Sequence, residues 1–387
     1  MTRSAIATSR RCGAAAGEEI GASVRKQLGG DSPDALIVFA TPGQDHGELL
    51  GALNAACGPR VLVGCSSAGE FTSDEAGVGM TCAVALAAPE MRFAAALGRG
   101  LRADRGAAAE EMVGGFAGLH EPGFRHRAAL VFTDALAGFA DDLVDRLALL
   151  TGGVYRFFGG GAGDDARFER TVVFCGTEVV ADAAVALEIL SNKPIGVGVR
   201  HGWAPGGELM RVTAGEGMRV GSLNAVPTAE VFEAHASATG QQFDRAEPIP
   251  FFLHNVLGVE SAEGYHLRVP LAVEEDGSVA CAADVPQGGA ACIMTTTAAS
   301  AADAAAEATR AALAQMEGHE PAVALVFDCV ATRLRLGHEF GAELAAIQRE
   351  LGDAPMAGFN TYGQIAQAEG QFSGFHNCTA VVCTIPR

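Results

Sequence analysis

Apolar positions along this chain fall into short strand-like runs separated by stretches of helical spacing, and the alternation recurs. Runs ending in Val-Phe stand at residues 35–39 (ALIVF), 129–132 (ALVF) and 324–327 (ALVF). A helical pattern follows each. Leu49 and Leu53 carry it in the first copy, closed by Gly58 and Pro59. Phe139, Leu143, Leu147 and Leu150 carry it in the second, and Phe340, Leu344, Ile347 and Leu351, stopped by Gly352, in the third. A glycine-rich turn comes next: GCSSAGEF at 64–71, FGGGAGD at 158–164 and GFNTYGQI at 358–365. From the Phe to the turn's first Gly the gaps are similar, 39 to 64, 132 to 159 and 327 to 358. The first and third turns share Gly, two free positions, Ser/Thr, one free position, Gly, Glu/Gln and Phe/Ile. After each turn another apolar run contains Ala-Val, at 82–86, 183–187 and 379–383.

The pattern predicts three copies of a strand, helix, strand, glycine-rich turn and further strand. Runs rich in Val and Phe suit strands buried on both faces, with parallel neighbours joined by crossover helices. The expected class is α/β, with repeated strand-helix-strand units forming mixed sheets plus an inserted antiparallel β portion. Residues 1–34 are expected to be a helical segment, with a helix over 14–28 ended by Gly29 and Gly30. A first domain of two units is expected over 35–203, with glycines 202, 206 and 207 marking a hinge, and a second domain over 208–387. Within the second, 208–298 reads as the antiparallel portion. It holds a hairpin around Glu216 and Gly217, a helix starting at Pro227, and strands at 265–273 and 278–285 parted by EEDG. The third unit spans 299–387, opening on a capping box of Ser300 and Asp303 before an Ala-rich helix to Met316.

Composition narrows the function classes. The 387 residues are 49% hydrophobic and 19% charged, enough for two or three domains with sizeable cores. A formal net charge of -19 argues against binding nucleic acid or an anionic membrane, since both need clustered Lys and Arg. No run approaches the roughly 20 apolar residues of a membrane span. Arg10 and Arg11 have no apolar core behind them, so no secretion signal is expected. None of the ten cysteines forms Cys-x-x-Cys, which suits buried thiols in a reducing, cytoplasmic compartment.

Glycine turns at equivalent strand ends let backbone N–H groups approach a bound group, and ligands in such sheets sit beyond the strands' carboxyl ends. The candidate ligand-binding residues in the first turn are Cys65, Ser66, Ser67 and Glu70, and in the second Gly160, Gly161 and Asp164. The first turn is one residue too long for a hydrolase nucleophile elbow, although Cys65 stays open as a thiol nucleophile. The second lacks the Lys-Ser/Thr pair of a phosphate loop. Asp164 and Asp165 beside Glu70 suit either an ammonium group or metal, or a solvated turn. Asn360, Thr361, Tyr362 and Gln364 offer donors and acceptors in the third turn, with His376 and Asn377 just before the last strand. Arg200 is able to grip a carboxylate beside His201. With no paired carboxylates and no Ser/His/Asp grouping, binding is expected and catalysis is not.

At these residues the chain resembles the FIST family of sensory proteins, which carry an amino-terminal and a carboxy-terminal FIST domain. The matching pieces are GCSSAGEF, FGGGAGD, GVRHGW, MRVTAGEGMRV with LNAVPTAEVF, VFDC at 326–329, and GFNTYGQI with FHNCT. Gln364 departs from the Glu of many relatives. The resemblance implies a cytoplasmic module that binds a small ligand, an amino acid or related metabolite, and signals to a partner such as a histidine kinase, cyclase or chemoreceptor. With no room for a fused output domain, contact with a separate partner is expected. Some FIST relatives bind haem and sense nitric oxide, so His201 and His376 are the alternative haem ligands; no other cofactor or metal is implied.

Overall fold

The computed structural model describes residues 1–367 and 374–387, so 370–373, the start of the segment that follows the third turn, lie outside the described residues. The first unit runs β1 (Arg3–Ser9), α1 (Gly13–Gln27), β2 (Ala35–Ala40), α2 (His46–Cys57), β3 (Val61–Ser66), β4 (Glu70–Thr72), β5 (Ala76–Gly77) and β6 (Thr81–Ala87). The second repeats it as β7 (Arg92–Arg99), α3 (Arg105–Gly114), β8 (His126–Thr133), α4 (Ala140–Leu150), β9 (Arg156–Gly161), β10 (Val173–Cys175), β11 (Glu178–Val180) and β12 (Ala183–Ser191). The third opens with β13 (Gly196–Arg200) and then makes a long excursion. That excursion contains β14 (Trp203–Pro205), β15 (Met210–Glu216), β16 (Arg219–Leu223), β17 (Val226–Pro227), α5 (Thr228–Thr239), α6 (Ile249–Phe252), β18 (Val256–Ser261), β19 (Gly264–Arg268), β20 (Pro270–Val273), β21 (Val279–Cys281) and β22 (Ala290–Thr296). The unit resumes with α7 (Ala298–Ala314), β23 (Pro321–Cys329), α8 (Val330–Leu336), α9 (Phe340–Leu351), β24 (Met356–Thr361), β25 (Gln364–Ala366), β26 (Gly374–His376) and β27 (Ala380–Pro386).

Each unit builds its own sheet, in the orders β1-β6-β2-β3, β7-β12-β8-β9 and β13-β27-β23-β24. Within each, the Val-Phe strand is parallel to the strand leading into the glycine turn and antiparallel to the unit's last strand. The hairpin after each turn leaves its own sheet. β4 and β5 extend the third sheet, β10 and β11 the first, and β25 and β26 the second. The three units are therefore joined in a closed cycle of exchanged hairpins.

Side chains alternate along the strands. Ile37 and Phe39 point inward to one shared core, whereas Leu36 and Val38 pack outward against α1 and α2. Equivalent outer layers form under α3 with α4 and under α7 with α9. At the centre Phe39, Phe132 and Phe327, one from each Val-Phe strand, meet with ring centroids 5.7, 6.4 and 6.2 Å apart. The first glycine of every turn has a packing cause: a Cβ would stand 2.1 Å from the Val38 carbonyl oxygen at Gly64, 2.1 Å from that of Val131 at Gly159, and 1.8 Å from that of Val326 at Gly358.

Several expectations need correcting. Residues 1–34 are not a helical segment alone, since β1 precedes the helix and pairs with β6. The strand at 196–200, expected to end the first domain, pairs with β27 in the third unit's sheet. The capping box at α7 is formed by Thr297 and Ser300, because helix starts one residue after Thr297 and Asp303 lies beyond reach of its first N–H groups. The excursion is antiparallel as expected, a nine-stranded sheet with its own core around Phe232, Phe251 and Phe252. It occupies the connection that residues 10–12 and 100–104 make in the other units.

Candidate functional site

The three turns converge, and backbone hydrogen bonds lock them in a ring. Ala68 N donates to Asn360 O (3.1 Å), Tyr362 N to Gly161 O (3.1 Å), and Gly163 N to Ser66 O (2.9 Å). These are equivalent positions, so each turn holds the next. Asn360 N to Gly69 O and Gly161 N to Gly363 O, both 2.8 Å, reinforce the contact. Much of the glycine content serves this closeness. A Cβ on Gly160 would lie 2.8 Å from Thr361 Cγ2 and one on Gly161 2.8 Å from Ala135 Cβ, so the third turn and its neighbours fill the space that a ligand would need there.

On the turns sits a cluster of mixed charge. Glu70 is buried, and one carboxylate oxygen accepts the Ser67 hydroxyl. Burial pushes its pKa up to about 8; the Ser67 hydrogen bond opposes the rise and the charge of Asp165 adds to it. Asp165, half-buried, accepts from Thr41 Oγ1 (3.2 Å), and its pKa is also raised by burial. Arg333, half-buried on α8, faces Asp165, Glu70 and Tyr362, and burial lowers its pKa. A Cβ on Gly69, whose φ of +114° already favours glycine, would stand 3.1 Å from Asn360 Oδ1 and 3.4 Å from Arg333 Nε. Among the described residues Glu70 Oε2, Asp165 Oδ1, Asn360 Nδ2 and Arg333 Nε have no hydrogen-bond partner. Two acceptors on acids and two donors, one on a guanidinium, are thus unsatisfied together. Buried polar atoms in this state ordinarily meet water or ligand.

Other expected residues have different work. Cys65 is fully buried in the central core and its thiol pKa is driven well up by burial, so it neither lines a site nor acts as a nucleophile. Asp164 accepts from the backbone N–H groups of Phe168 (2.9 Å), Glu169 (2.7 Å) and Arg170 (2.8 Å) and from the Tyr362 hydroxyl, which commits it to shaping the second turn. Ser66 Oγ accepts from Val172 N (3.1 Å). Gln364 Nε2 donates to Thr361 Oγ1 (2.6 Å), and its Oε1 accepts from Thr379 N (3.3 Å). Asn377 Oδ1 accepts from Val269 N (3.2 Å), tying the third unit to the excursion. Arg200 and His201 line a different cleft, with Trp203, Arg335 and Cys378.

Two features escaped the sequence reading. Arg333 lies on α8, an α-helix that follows the third unit's Val-Phe strand where the second unit has a single 3-10 turn at Ala135–Ala137. The other is a cleft of about 630 Å³ between that helix, Phe168 and Tyr362 on one side and Phe252, Leu253 and Leu271 of the excursion on the other. Its walls are largely apolar. A more polar cleft of about 510 Å³ lies at the start of α2, lined by Ser66, Asp164, Arg167 and Arg170.

With this geometry in hand, a model of the FIST N domain matches residues 34–226 and one of the FIST C domain matches residues 229–367. The chain belongs to the FIST family. FIST domains are sensory domains linked to signal transduction and small-ligand binding. No curated protein matches this FIST chain. Among solved structures it is similar to a cyanuric acid hydrolase from A. caulinodans, at 10% identity over 100% of both chains and a TM-score of 0.34. Among the described residues no helix is long and apolar enough to cross a membrane, and no cluster of three His, Cys, Asp or Glu side chains suits a metal ion.

Haem does not fit the two histidines of this FIST protein. His376 is buried with its ring stacked on His266 at 5.6 Å, and its pKa is held well below the usual value by burial and by the neighbouring charges of His266 and Arg268. His201 Nε2 bonds the Tyr265 carbonyl (2.9 Å), and the cleft it lines offers about 10 Å³. Neither lines the large apolar cleft.

Proposed function

We propose that this FIST protein is a cytoplasmic, non-catalytic sensor that binds a small zwitterion at the junction of the three turns and relays occupancy to a signalling partner. One observation carries the reading: the unsatisfied polar atoms of Glu70, Asp165, Asn360 and Arg333 converge from all three units. An amino acid or related metabolite supplies both complements. Its ammonium group meets Glu70 and Asp165, and its carboxylate meets Arg333 and Asn360. Because the ligand touches every unit, occupancy changes how the units sit together, and that is the change a kinase, cyclase or chemoreceptor partner would read.

Calorimetric titration with free amino acids tests this. Saturable binding is expected, weakened ~10-fold or more by Glu70→Gln and by Arg333→Met, each of which removes a charged hydrogen-bonding partner. Tyr362→Ala should weaken binding less, through loss of the wall that Tyr362 forms with Phe168. Binding unchanged in both charge variants would place the ligand elsewhere. Glu70 holds its proton near neutral pH. An arriving ammonium group should expel it, so the measured enthalpy should depend on the ionisation enthalpy of the buffer.

A further inference from the structure

A second chemistry is built into the far wall of the apolar cleft. Cys329 ends β23 and lines that cleft, and Cys378 lies two residues before β27, the antiparallel neighbour of β23. The antiparallel register, with Phe327 opposite Val381, brings Cys329 beside the segment that holds Cys378, and both cysteines belong to one buried cluster with Trp203 and Ala331. Cys378 reaches this position at φ +50°, a left-handed conformation unfavourable for any residue but glycine. The neighbouring Cys378 thiol and the polar groups of Ala331 and Gln364 draw the Cys329 pKa down to about 6, against the opposing effect of burial. The charged groups around the pair are Asp328, Glu343 and Arg335. By contrast, burial raises the pKa of Cys57, Cys65, Cys82, Cys281 and Cys383.

We infer that Cys329 and Cys378 form a redox pair that reacts with apolar organic hydroperoxides entering through the cleft. The Cys329 thiolate attacks the terminal oxygen of the hydroperoxide, forming an S–O bond and breaking the O–O bond. The departing alkoxide takes up a proton and leaves as the alcohol. Cys378 then attacks the sulfenic sulfur, forming the disulfide, and the displaced hydroxide leaves as water with the Cys378 proton. Two thiols lose two electrons in all, and the hydroperoxide gains them. Phe168, Phe252, Leu253, Leu271, Val330 and Leu334 around the opening favour an alkyl or aryl hydroperoxide over hydrogen peroxide. This chemistry needs none of the zwitterion-binding groups and stands independently of that reading.

The test is peptide mapping by mass spectrometry of the reduced full-length chain after limiting treatment with cumene hydroperoxide or hydrogen peroxide. The expected product is a disulfide joining the peptides of Cys329 and Cys378. Relative to exposed Cys12, oxidation of Cys329 should favour cumene hydroperoxide ~10-fold or more, the effect of burying one aromatic group. In Cys378→Ser, dimedone should trap a sulfenic acid at Cys329. Overturning results are Cys329 remaining a thiol while Cys12 is oxidised, or equal preference for the two oxidants at both cysteines. The mapping of the unmodified chain decides the matter even where a serine variant folds poorly.

Discussion

Glu70 shows how one side chain sets both recognition and stability. Its folded pKa near 8 lies above the ordinary value of 4.5, so between those limits the folded protein keeps a proton that the unfolded chain has released. The contribution is full below about pH 4.5 and is lost as pH rises through about 8, by up to ~1.4 kcal/mol per pH unit. Denaturant titrations between about pH 5 and 8 should therefore show stability falling more steeply in the natural protein than in Glu70→Gln. Equal slopes would mean that Glu70 is ionised throughout. The sequence pointed to Glu70, Asn360 and Tyr362 because a repeat marked the turns. It misled at Cys65, although the strand alternation that puts Val63 inward also puts Cys65 inward. Arg333 left no local signal: its importance comes from a helix that brings it against two acids over 160 residues or more away in the chain.

The glycine turns act as spacers between neighbouring strands. Gly358→Ala would drive a methyl group into the Val326 carbonyl oxygen, which no rotamer change relieves, and should cost about 3 kcal/mol or more. Gly51→Ala, on an α2 position with nothing within 4 Å, should stabilise by up to ~1 kcal/mol. Thermal unfolding of the two variants side by side distinguishes close packing from a general intolerance of change. Helices and central strands were legible because α2, α4 and α9 carry apolar spacing and the Val-Phe strands are apolar on both faces. β1 was not, because RSAIATS holds one large apolar side chain, Ile6, among alanines and polar residues, too few to mark a strand. The exchanged hairpins were hidden too. Strands as short as EFT and QIA bear no mark of which unit they will join.

Hairpin exchange makes the assembly cooperative. A fragment of residues 1–203 would leave β4 and β5 without β24 and the edge of β9 without β25. It should unfold broadly, with a smaller m-value per residue than the intact chain. A sharp transition in the fragment would show that the first two units suffice. Replacing 203–296 by a short connection of the kind found at 10–12 should leave a folded body, detectable by a retained cooperative transition, because the chain leaves and re-enters the third unit at one connection, between β13 and α7. The cycle of lent hairpins has one more implication. A chain carrying a single unit would have no place within itself for its own hairpin. Three such chains, each lending to the next, would close the same ring, so the fold of this one chain is also the architecture of a homotrimer, with its junction on the threefold axis.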